Sequence, residues 1–170
     1  MKTYFKSVDF IKSMFFIFVL LCIIFCTLMD AYADEGATMR EQIANYVHKC
    51  NSKVDAKYVA DAIVTVFYDE YNQDPWLWTF IIDRESNFDT TAVSPSGKHF
   101  HWTQLARDHK RLFKGHGLTW MDDFDMLRFS ACMVQDKLDK GKSLFTAFKP
   151  WETRKGAFTD YKKKFGKWLK

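Results

Sequence analysis

The chain has 170 residues, 48% apolar and 18% aromatic, with 25 Lys and Arg against 21 Asp and Glu for a formal net charge of +4. That length is enough for one domain with a real core, there are no repeats or low-complexity tracts, and Arg and Lys are too sparse for nucleic-acid binding. Mild basicity fits an anionic cell wall or a membrane surface.

At the N-terminus Lys2, Lys6 and Lys12 precede an uncharged apolar run from Ser13 to Met29, and Ala31-Tyr32-Ala33 supplies the small residues that a signal peptidase reads. The expectation is an exported protein, periplasmic or in the cell envelope, with a signal peptide over residues 1–33 and one domain over 34–170. The run is shorter than the ~20 apolar residues a membrane span needs. Cys22 and Cys26 lie inside it without the preceding small residue of a lipoprotein signal. Removing this segment takes three Lys and two Asp, leaving 22 basic and 19 acidic residues, nearly balanced. Cys50 and Cys132 then remain. In an oxidising compartment they point to one disulfide, with two separate buried thiols as the alternative.

The first strong periodicity runs from Val54 to Tyr71, with apolar residues at three- and four-residue intervals, and predicts a core helix. Ser52 followed by Asp55 resembles a capping box with a shortened acid. Asp74-Pro75 is a second start signal, an N-cap followed by proline at the first helical position. The helix after it is apolar nearly all round until Asp83, so it should be buried at the centre, with Glu85 near its C-terminus. There the helix dipole and poor solvation both raise a carboxyl pKa, which suits a general acid. Residues 87–97 read as a loop with a short hairpin, and Gly115-His116-Gly117 as a turn. A further helix is expected from Asp122 to Lys140 with Gly141 as its C-cap, then a short one capped by Ser143 and stopped by Pro150. A last helix carries Phe158, Tyr161, Phe165, Trp168 and Leu169 on one stripe. The fold class is therefore mainly α, with at most a short β-hairpin or small sheet beside the Glu85 helix.

Glu85-Ser86-Asn87-Phe88, then Ala92-Val93-Ser94-Pro95-Ser96-Gly97, then Trp102-Thr103-Gln104 follow the Glu85 helix. Their order resembles the soluble lytic transglycosylase family, whose lysozyme-like domain carries Glu-Ser-x-Phe, Ala-x-Ser-x-x-Gly and Gly-Leu-Met-Gln in that sequence. Glu85, Ser86, Phe88, Ala92, Ser94 and Gly97 match in register. In the third block Phe100 and His101 replace the family's Gly and Leu, and Thr103 occupies the Gln place with Gln104 one residue later. The family's later Ala-Tyr-Asn has its nearest counterpart in Ala147-Phe148-Lys149, and Tyr161 follows Glu152-Thr153-Arg154 much as in the terminal Glu-Thr-x-x-Tyr pattern, with a longer gap. The resemblance covers about residues 55–161.

The resemblance implies a peptidoglycan lytic transglycosylase in which Glu85 is the single acid and base. Ser94 would bond Glu85 or the acetamido group, Gln104 and Thr103 would line the adjacent subsite, and Phe148 and Tyr161 would stand in the cleft. His101 with Trp102 reads as a sugar-stacking wall. A one-residue slip turns a helical side chain by about 100°, so Gln104 and Thr103 cannot both face one subsite; Gln104 is expected to do so. No cofactor or metal is implied, since no Cys or carboxylate spacing accompanies His99, His101, His109 and His116. The expected partner is the peptidoglycan glycan strand, with no nucleic acid and with the membrane met only through the signal peptide. A chain of this size resembles specialised members that serve secretion or conjugation machines. The alternatives are a hydrolytic muramidase using Asp89 or Asp108 as second carboxylate, a non-catalytic wall-binding subunit, and a basic membrane-active protein using the lysines around Lys163.

Overall fold

The computed structural model describes residues 2–151 and residue 163. The expected last helix, and Tyr161 with it, lies outside the described residues. The chain divides into two units, Met1–Met39 and Arg40–Lys170. Helix α1 (Lys2–Cys50) spans the first and supplies the opening element of the second. In the first unit its apolar side chains from Met14 to Leu28 are exposed. Among the described residues no helix is long and apolar enough to cross a membrane.

The second unit is mainly helical with one small antiparallel sheet, as the periodicities predict. Helix α2 (Ala56–Ile63) starts at Asp55, whose carboxylate accepts the backbone N–H groups of Lys57 and Tyr58. Asp55 is thus the cap itself rather than the second member of a box opened by Ser52. The single helix expected through Tyr71 changes pitch at Val64, where a π-helical segment runs to Glu70. It ends at Asn72 in the left-handed region, φ 50°, a conformation asparagine adopts more readily than most residues.

Helix α3 (Pro75–Ser86) is capped by Asp74, which accepts from the N–H groups of Trp76 and Leu77, and every residue from Leu77 to Ile82 is buried. Its Trp78 stacks on Phe67 with ring centroids 4.1 Å apart. The Trp78 indole N–H donates to the Gln73 side-chain oxygen at 2.9 Å, and the Gln73 side-chain amide donates to the backbone carbonyl of Ala131. A buried polar side chain is stable only with its partners in place, and this chain of bonds ties α3 to α5 (Asp123–Asp139). Helix α5 is capped by Asp122 and followed by Gly141 at φ 70°, the left-handed conformation that glycine takes without penalty. Ser143 caps the short α6 (Leu144–Ala147).

Between α3 and α5 lie β1 (His99–Phe100) and β2 (Leu105–Ala106), paired antiparallel with His99 opposite Ala106. Val93 bridges Phe100, and the His101 N–H donates to the Ala92 carbonyl, extending the two-stranded pairing into a short meander by one isolated bridge. A 3₁₀ turn (Arg107–His109) leads into α4 (Lys110–Gly115), whose Phe113 stacks on Phe129 of α5 at 4.4 Å.

Cys50 and Cys132 are free thiols, which corrects the expected disulfide. They sit on different helices, each beside a tyrosine: Cys132 Sγ lies 3.0 Å from the Tyr71 hydroxyl, and Cys50 is hydrogen-bonded to Tyr46 one turn before it.

Candidate functional site

Glu85 occupies the last turn of α3, where the apolar stretch that buries the helix gives way to Ser86 and Asn87. The helix stops because Asn87 turns left-handed at φ 51°, and Phe88 follows at φ 63°. Two consecutive left-handed residues are costly without glycine, and three outside contacts hold them. Asn51 at the end of α1 donates its amide to the Asn87 carbonyl at 2.8 Å, the Trp102 indole N–H donates to the Phe88 carbonyl at 2.9 Å, and Tyr46 packs edge-on against the Phe88 ring. Tyr46 also donates its hydroxyl to Asp83 at 2.7 Å, fixing α1 against the same end of α3.

Burial pushes the Glu85 carboxyl up from 4.5 to about 7. Desolvation is the whole cause: among the described residues none donates a hydrogen bond to this carboxyl or pairs with it. The group is therefore half-protonated near neutrality, the state a general acid requires. The cavities bounded by described residues at the N-terminal end of α3 and beside α4 do not include Glu85.

The other expected site residues fall into separate places. Ser94 shapes the hairpin turn, its Oγ accepting the N–H groups of Lys98 and His99 and lying 3.1 Å from the Ser96 hydroxyl, with Gly97 at φ 66° completing the turn. The bond expected between Ser94 and Glu85 is not formed. Gln104, itself at φ 51°, donates its side-chain amide to the carbonyls of Ala92 at 3.2 Å and His101 at 2.9 Å, bracing the meander from within. Thr103 points elsewhere, in a turn rather than the helix that the one-residue slip assumes, and is 0% exposed, with its hydroxyl 2.9 Å from that of Ser130 on α5. Its carbonyl accepts the Trp151 indole N–H.

His101 and Trp102 are 1% and 0% exposed, so they form no sugar-stacking wall. Their rings pack the inside of the domain, where the indole N–H and the imidazole each find a partner. His101 Nε2 lies 2.8 Å from the Asp123 carboxylate, whose other oxygen accepts the Tyr58 hydroxyl at 2.9 Å. The contact has the geometry of an ion pair, yet burial, opposed in part by Asp123, lowers the His101 pKa. We read it as a neutral imidazole donating from Nε2–H, which leaves the buried Nδ1 without a partner among the described residues. Phe148 is likewise a core residue, 3% exposed and tilted against Trp78 at 5.0 Å.

Of the carboxylates considered as a second catalytic group, Asp89 is committed to a turn, one oxygen accepting both the N–H and the hydroxyl of Thr91. Asp108 is exposed beside α4. Among the described residues no group of three or more His, Cys, Asp or Glu is placed to hold a metal ion. Sequence reasoning missed Tyr46, Asn51 and Asp123, the residues that fix the end of α3 and the hairpin. Their partners are distant in the chain, and no local spacing marks them. No protein-family model, no curated protein and no solved structure matches this chain.

Proposed function

We propose that this chain is an exported peptidoglycan lytic transglycosylase with Glu85 as its single acid and base. The observation that carries the reading is a carboxyl whose pKa is raised to about 7 by burial alone, at the end of a buried helix and directly ahead of a Ser- and Gly-containing hairpin. Protonated Glu85 gives its proton to the oxygen bridging N-acetylmuramic acid and N-acetylglucosamine, and the bond to the muramic C1 breaks. The 2-acetamido group stabilises the cationic centre. The Glu85 carboxylate then takes the proton of the C6 hydroxyl as that oxygen bonds to C1, giving a 1,6-anhydro end and restoring the acid. The residues around Glu85 support it indirectly, Ser94 and Gln104 by holding the hairpin that follows the acid.

Reducing-end analysis of peptidoglycan digested by the protein tests the reading, with anhydro-muramic ends as the expected product. Glu85→Gln keeps the side-chain shape without a proton to give, and should lower the rate by about a hundredfold or more. Reducing ends would make the protein a muramidase. The burial of Trp102, Thr103 and His101 favours one other reading, a wall-binding subunit without activity; wall binding with no cleavage by the unaltered protein would establish it.

A further inference from the structure

We propose that the face of α4 with its leading 3₁₀ turn is a binding site for a carboxylated glycan. Arg107, Lys110, Arg111 and Lys114 all line one open trough of about 630 Å³. Their spacing of three, four and seven residues puts them on one helical face. Among the described residues none of the four forms an ion pair, and the acid on the trough wall, Asp108, forms none either. Two other described arginines differ from them. Arg40 is shared between Asp61 and Asp69, and Arg128 between Glu70 and Asp125. Like charges one turn apart repel, at a cost to the helix that carries them, and among the described residues no carboxylate forms an ion pair with these four. A bound polyanion would.

The floor of the trough says which kind of anion. Trp120, Leu118 and Phe113 line it, and Trp120 is fixed edge-on by Phe113 at 5.0 Å and by Phe100 at 6.4 Å. Arg107 is itself held 4.8 Å above the Phe100 ring, which keeps one guanidinium positioned at the edge. An inorganic ion needs no apolar floor. A sugar ring does, because it presents C–H faces to an aromatic surface, while its carboxylates suit the planar forks of Arg107 and Arg111. Single-stranded nucleic acid would use a groove with aromatic rings for successive bases, whereas this trough has one half-buried indole among its walls. The site requires no step at Glu85.

The test measures binding of the full chain at low ionic strength to an oligogalacturonate, a neutral chito-oligosaccharide of equal length, an inorganic polyphosphate and a single-stranded oligonucleotide. The oligogalacturonate should bind tightest. The double variant Arg111→Gln/Lys114→Gln should weaken it about tenfold, whereas Lys53→Gln/Lys57→Gln, the same change of net charge elsewhere, should have little effect. Trp120→Leu should weaken the oligogalacturonate more than the polyphosphate. The proposal is overturned by no binding, by preference for the neutral sugar, polyphosphate or oligonucleotide, by equal losses in the two double variants, or by a Trp120→Leu loss that is the same for both anions. Glu85→Gln should bind the oligogalacturonate unchanged, which separates this site from the reaction proposed above.

Discussion

At Glu85 and His101 burial acts on groups of opposite charge type, and the pH dependence of each has a definite sign. Glu85 has a folded pKa raised from 4.5 to about 7, so the folded chain holds more protons than the unfolded one across that window. Its contribution to stability is therefore lost as pH rises from 4.5 through about 7. His101, with a folded pKa below 6.5, acts the other way: the unfolded chain binds the extra proton, and stability falls as pH drops below 6.5. We predict that cleavage, if Glu85 is the acid, is flat below pH 7 and declines about tenfold per pH unit above it, as measured by anhydro-end release. In thermal melts Glu85→Gln should stabilise the fold at pH 8, by about 1 kcal/mol once solvent screening is allowed for, and leave it unchanged at pH 4. A melting point at pH 8 below that of the parent chain would mean the carboxylate has a favourable partner.

Among the elements, the hairpin is braced from within by Gln104. Gln104 spans the meander with two hydrogen bonds from a backbone at φ 51°. Losing those bonds to buried carbonyls costs about 1–3 kcal/mol, while glycine at a left-handed position recovers about 1–2 kcal/mol of strain that alanine keeps. Gln104→Ala should therefore melt lower than Gln104→Gly. The reverse order would place the role of Gln104 in its side-chain volume rather than in those bonds and that conformation. The helices were legible because their ends carry short polar caps, Asp74, Asp122 and Ser143, and their faces carry a period. The change of pitch at Val64, the true cap at Asp55, the continuation of α1 to Cys50 and the short α4 escaped that reading; at Val64 a π-helical turn preserves the apolar stripe while altering the bonds beneath it. Within the site Glu85 was legible for the same reason, standing where an apolar helix ends. His101, Trp102 and Thr103 were not. In a segment without period nothing local says which way a ring points, and their partners Asp123, Phe88 and Ser130 lie 22, 14 and 27 residues away.

For the molecule as a whole, the unit Arg40–Lys170 begins where Arg40 grips Asp61, Asp69 and the Thr65 hydroxyl. A signal peptide ending at Ala33 would leave that grip intact. We predict that a chain starting at residue 34 melts within about 3 °C of the full chain, the size of effect expected when no partner of the folded unit is removed. A collapse of the transition would mean that the apolar segment before it contributes to the unit's stability.

The left-handed pair after Glu85 has a consequence for how the acid comes into being. Asn87 and Phe88 are held by Asn51 and Trp102, so the end of α3 takes its form only when segments on either side of it in the chain have come together. Before that the Glu85 carboxyl titrates as any glutamate does, near 4.5, and at pH 6 it has given up its proton. Folding at that pH must therefore return a proton to this carboxyl, while the burial of His101 gives one up. The acid is a product of assembly: a newly made chain, still open, carries one more ordinary carboxylate, and holds its proton near neutrality only from the moment it closes.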